Sequence, residues 1–92
     1  MRLDLFLKLS RLCPRRSIAQ KLCDAGIVLL NGRPAKSAHD IKVGDEIAIR
    51  KANEHILARV LDVPTSRNVS RQHANSLVEI VNRTELEPET EV

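Results

Sequence analysis

The sequence predicts a small α+β fold, a helix-turn-helix pair packed on a mostly antiparallel, twisted sheet. Three observations carry this reading. Residues 3–25 keep a helical apolar period on both sides of Pro14, from Ile27 onward the period becomes that of strands, and Asn31-Gly32 separates two β-rich runs. With 92 residues, 42% of them apolar and 29% charged, the chain has the composition of one globular unit rather than of a disordered segment.

On a helical wheel of residues 3–13, Asp4, Lys8 and Arg11 share a narrow arc. Leu3, Leu5, Phe6, Leu7, Leu9, Leu12 and Cys13 fill the remainder with Ser10, so this helix is expected to be buried on most sides. Pro14 interrupts it and suits the first turn of a successor. From Arg15 to Ala25 the faces separate again: Ile18, Ala19, Leu22, Cys23 and Ala25 on one, Arg16, Ser17, Gln20, Lys21 and Asp24 on the other. Gly26 stands where a helix end favours a left-handed residue.

Ile27-Val28-Leu29-Leu30 then reads as a strand, Asn31-Gly32 as a hairpin turn, and Pro34 keeps the returning strand short or at an edge. A loop closes with Val43-Gly44-Asp45 before the strand Glu46–Arg50, a bend at Asn53-Glu54 and a strand from His55 to Val63. Residues 70–77 fit a short helix through Val69, His73 and Leu77, and 77–81 fit a strand equally well. The expected division is a domain over 1–63, a partly ordered extension over 64–84 and a disordered acidic tail over 85–92.

Charge is segregated along the chain. Residues 1–36 hold eight basic side chains against Asp4 and Asp24, residues 37–84 are nearly balanced, and the tail carries four glutamates. A basic cluster on a near-neutral body suits a polyanion ligand. Phe6 is the one aromatic residue, so base stacking on an aromatic platform is not the expected mode. His39, His55, His73, Cys13 and Cys23 show no metal-ligand spacing, and there is no phosphate-binding glycine loop, so neither metal, cofactor nor catalytic residues are expected. The apolar runs are too short for a membrane span, and the first residues lack the apolar core of a signal peptide. The expectation is a cytoplasmic protein with reduced thiols in its core.

Arg11, Arg15 and Arg16 surround the turn between the helices, and Arg2 at the chain start folds back toward them on this reading. A guanidinium donates two parallel hydrogen bonds to phosphate and stays charged at cellular pH; the alternative for each arginine is a solvated side chain or a partner for Asp4 or Asp24. Lys8 shares the wet stripe of the first helix, and Ser17 lies in the first turn of the second, where it either meets phosphate or satisfies a free N–H. Asp4 is expected to act as a favourable charge near a helix N-terminus, paired with Lys8.

Arg2-Leu3-Asp4, Phe6-Leu7, Arg11, Arg15-Arg16-Ser17, Ala19, Ala25-Gly26, Asn31-Gly32, Lys36 and Val43-Gly44-Asp45-Glu46-Ile47 occur in an order and spacing that resembles the RNA-binding domain named after ribosomal protein S-four, the alpha-L motif. The resemblance covers about residues 1–63 and adds Lys36 to the candidate RNA contacts; Ile27 departs from it, at a position where the family often carries Lys or Arg. It implies a monomer that binds large-subunit ribosomal RNA and peptidyl-site tRNA, beside a factor that tails stalled chains in ribosome-associated quality control. The alternatives are a heat-shock role on free large subunits carrying nascent chains, and an RNA-delivery subunit of a modifying enzyme.

Overall fold

The computed structural model describes residues 1–65 and 70–85. Its elements are α1 (Leu3–Leu9), α2 (Arg16–Asp24), β1 (Val28–Leu30), β2 (Arg33–Pro34), β3 (Glu46–Arg50), β4 (Glu54–Val60), α3 (Arg71–Asn75) and β5 (Val78–Glu85). The five strands form one sheet in the order β2-β1-β3-β4-β5, every neighbour antiparallel. The predicted architecture is the one observed.

Strand alternation decides which side is covered. Ile47 and Ile49 of β3 and Ile56, Ala58 and Val60 of β4 are buried on one face, where the isoleucines and Val60 join Leu3, Phe6 and Leu7 of α1 with Ala19 and Cys23 of α2. The opposite face carries Arg50, His55 and Arg59, all exposed. Asn31 (φ 51°) and Gly32 (φ 84°) both adopt the left-handed conformation that a two-residue hairpin turn requires. Pro34 lies in the edge strand, where its missing N–H interrupts no ladder. Asn31 also ties the hairpin to the 42–45 turn: its amide donates to the Asp45 carboxylate at 3.1 Å and its carbonyl accepts the Glu46 N–H at 2.9 Å.

Three boundaries differ from expectation. The first helix stops at Leu9, well short of Cys13. Arg11 has turned left-handed (φ 63°), and the Cys13 N–H reaches back to the Leu7 carbonyl at 3.0 Å, so the chain leaves the helix before Pro14 compels it to. The strand expected over 55–63 begins at Glu54 and ends at Val60. The ambiguity after residue 70 resolves into both elements, because Ser70 caps α3 by accepting the His73 N–H at 3.1 Å and Val78 then opens a strand paired with β4. The acidic tail expected over 85–92 lies outside the described residues except for Glu85, which pairs with Glu54 at the end of β5.

Arg11 holds a strained backbone, costing about 1 kcal/mol relative to an unstrained residue. Arg11→Gly is therefore expected to keep or raise stability by about 0.5 kcal/mol in urea denaturation, the strain relief being partly offset by glycine's larger unfolded-state entropy.

Candidate nucleic-acid interface

The chain's one fully buried charged side chain among the described residues is Asp4, in the first turn of α1. Burying a carboxylate costs several kcal/mol unless its oxygens are satisfied. Here five donors converge on it. Arg2 gives Nε and Nη2 at 3.3 Å each, and the Leu5 N–H stands at 2.8 Å. Arg16 Nε donates at 3.1 Å and Gln20 Nε2 at 2.8 Å, both from α2. Burial by itself would raise the Asp4 pKa. The hydrogen bonds from Gln20, Arg16 and the Leu5 N–H outweigh it and hold the carboxyl below its ordinary value of 3.8.

The two arginines emerge from this carboxylate toward solvent. Asp4 is 0% exposed, whereas the Arg2 and Arg16 side chains are 49% and 36% exposed. Arg16 spends only Nε on Asp4, so its two terminal amino groups take no share in that carboxylate. Both guanidiniums thus lie at the protein–water boundary with their orientation set from beneath.

Neighbouring cations come from adjoining segments. The Leu3 N–H donates to the His39 carbonyl at 2.7 Å, the Asp4 N–H to the Ser37 carbonyl at 3.1 Å and the Ile41 N–H to the Met1 carbonyl at 2.8 Å. These bonds lace the loop that carries exposed Lys36 against the start of α1, and the Met1 ammonium meets Asp40 at 2.7 Å beside it. Arg15 is the N-cap residue of α2 and supplies no capping side chain, so the positive end of that helix is left open next to Arg16. Arg11, Arg15, Lys8 and Ser17 are all exposed.

The structure therefore joins Arg2 and Arg16 through one carboxylate, lays the Lys36 loop beside them and places Arg11 and Arg15 at the interhelical turn. Asp4 is corrected: it does not pair with Lys8 but with Arg2 and Arg16, because Lys8 points to solvent while Asp4 faces α2. Gln20 is a further member that the sequence reading left on a polar face without a role. Its signal was available, since Arg16 and Gln20 are four apart and so share one side of α2. Cys13 and Cys23 are buried core residues as expected; burial, with nearby Cys13, Asp4 and Asp24, pushes the Cys23 thiol up to about 11. Among the described residues no group of three or more His, Cys, Asp or Glu side chains is placed to hold a metal ion, and no helix is long and apolar enough to cross a membrane.

The depressed Asp4 pKa makes stability pH-dependent. Folding favours the ionised form, so its contribution is complete above the unfolded-state value near 3.8 and is lost as pH falls through the lower folded value. The melting temperature is expected to be level above about pH 5 and to fall below about pH 4. Asp40, held low by its hydrogen bond to the Met1 ammonium, titrates in the same window from an exposed position. The difference between wild type and Asp4→Asn isolates the Asp4 share: the variant's melting curve should depend less on pH below 4.

Comparison with known proteins identifies the family. Residues 1–47 match the family described as S4 domain. The chain is 39% identical over 87 residues to the RQC P-site tRNA stabilizing factor of Streptococcus pneumoniae, covering 95% of this chain and 97% of that protein. It is 38% identical over 80 residues to the protein of the same name from Halalkalibacterium halodurans, covering 87% and 89%. Among solved structures, the trimeric Heat Shock Protein 15 of Vibrio cholerae superposes with a TM-score of 0.79 at 25% identity, over 88% of this chain and 81% of that one. This chain belongs to the S4 domain family and, within it, to the family of the RQC P-site tRNA stabilizing factors.

Proposed function

We propose that this protein binds RNA on the large ribosomal subunit and steadies P-site tRNA there while a partner factor extends stalled chains at their C-terminus in ribosome-associated quality control. The observation that carries the reading is the pair of boundary arginines organised on buried Asp4, with Lys36, Arg11 and Arg15 around it. Arg2, Lys8, Arg11, Arg15, Arg16, Ser17 and Lys36 are its RNA-contacting residues. RNA helices hide their base edges, so a rigid surface of cations reads phosphate placement and groove shape rather than sequence. Arg11 supports this, since a long charged side chain kept at a strained φ of 63° is costly unless its placement is used.

The protein acts in the cytoplasm as a monomer, without metal, cofactor or catalysis of its own. Compact cationic surfaces of this kind join two phosphate backbones and add free energy to the state that brings both within reach. Near full-length correspondence with the S. pneumoniae factor favours quality control over a heat-shock role. The test is sedimentation of purified protein with large subunits at physiological salt. Subunits bearing peptidyl-tRNA should retain more of it than empty ones; equal retention, with normal tailing in cells lacking the protein, contradicts the reading.

A further inference from the structure

We propose that Asp4, aided by Gln20, is a positioning residue that makes the Arg2 and Arg16 guanidiniums a single preorganised phosphate site rather than two independent surface cations. This rests on the RNA-binding reading above and deepens it. Three features of the cluster support it.

Firstly, the carboxylate is shared. Arg2 occupies both oxygens, Arg16 and Gln20 meet on Oδ2, and the Leu5 N–H closes Oδ1. Arg2 precedes α1 and Arg16 opens α2, so their relative placement is set by one buried group rather than by either backbone alone. Secondly, Asp4 is wholly inside while both guanidiniums reach solvent, so the anion orients them without itself facing an incoming phosphate. Thirdly, Gln20 adds a neutral donor at 2.8 Å, so Oδ2 stays bonded whichever way the Arg16 head group turns. An arginine on an open surface loses side-chain freedom when it grips a ligand, and one whose Nε is already tethered loses less. Arg16 keeps its terminal amino pair for the ligand, the edge that suits two phosphate oxygens.

The proposal makes a prediction of opposite sign to simple electrostatics. Asp4→Asn removes an anion beside two cations and raises the net charge by one, so charge alone predicts tighter RNA binding. If Asp4 positions the arginines, the same change weakens binding. The experiment measures the affinity of the full chain for fluorescently labelled tRNA across a salt series, at a temperature where circular dichroism shows both proteins folded. Asp4→Asn is expected to bind about tenfold more weakly. Gln20→Ala, which keeps every charge, is expected to bind about threefold more weakly and covers the case of an unfolded Asp4→Asn.

In an Arg2→Ala/Arg16→Ala background the Asp4→Asn change should alter affinity less than twofold, because nothing remains to be positioned; a merely structural role would not show this dependence. In side-chain NMR the Arg2 and Arg16 Nε–H signals should be protected from solvent exchange in the wild type and lose protection in Asp4→Asn, while the Arg15 signal stays unchanged. Equal or tighter tRNA binding by folded Asp4→Asn, or an undiminished effect in the double-alanine background, overturns the proposal. Failure of the ribosomal reading is seen separately, as equal retention on the two kinds of large subunit while the tRNA affinities of these variants still differ as stated.

Discussion

Phe6→Ala is expected to destabilise the protein by about 3–5 kcal/mol, more than any other single truncation of its core. Phe6 is the sole aromatic residue in the sequence, is 0% exposed and is the largest of the fully buried side chains. It lies in α1 with Leu3, Leu7 and Leu9, in the same buried cluster as the isoleucines of β3 and β4. A domain of this length has about 5–14 kcal/mol of stability in total, so the loss consumes about a fifth of it or more. Melting temperature should fall by about 15–30 °C. RNA binding should persist at low temperature, since Phe6 contributes packing and no charge. Phe6→Leu, which retains most of the volume, should cost about 1–1.5 kcal/mol. Ile80→Ala, on the edge strand at 42% exposure, should change stability by about 0.5 kcal/mol or less. Urea denaturation of the three variants decides it: a cost for Phe6→Ala no greater than that for Ile80→Ala would mean the core is not centred on this ring.

Most of the fold was legible because its signals are local. The Asn31-Gly32 turn, the Gly26 helix end (φ 74°) and the edge position of Pro34 each follow from the backbone chemistry of one or two residues. The alternating Glu46–Arg50 segment became a strand with the bounds read from the sequence, since its buried face is continuous. What escaped depends on tertiary contact. The first helix ends early through a left-handed arginine, a residue type with no preference for that conformation, so nothing in the composition of residues 9–13 announced it. Asp4 looked like an ordinary first-turn acid. Its burial arises from the packing of α1 against α2, which sets Arg16 and Gln20 over it from twelve and sixteen residues away. The arginines themselves could be read as anion-binding groups or as partners for Asp4 or Asp24; that one buried carboxylate joins two of them could not. Residues 70–81 were ambiguous for a simpler reason, a five-residue helix running almost directly into a strand, which blends two periods within one short window.

Loss of the arginine pair is the functional counterpart of the Phe6 truncation. Arg2→Ala/Arg16→Ala is expected to lower affinity for tRNA-bearing large subunits by about 30- to 150-fold, at about 1–1.5 kcal/mol for each lost, solvent-screened phosphate contact. Each lost contact should also reduce the slope of log affinity against log salt by about 0.7–0.9, so the double variant falls by about 1.4–1.8. Arg15→Ala, which removes an exposed cation with no tie to Asp4, should reduce the slope by one such increment and leave stability unchanged. Arg16→Ala differs, because it also strips a donor from the buried carboxylate and should cost about 1–2 kcal/mol of stability. Arg16→Lys separates charge from shape. Lysine keeps the charge but has no Nε–H to give Asp4 while presenting a fork to phosphate, so it should restore part of the salt slope and little of the affinity. Sedimentation at several salt concentrations reads both quantities at once. An unchanged slope in the double variant would remove Arg2 and Arg16 from the RNA interface, and full rescue by Arg16→Lys would show that only the charge matters there.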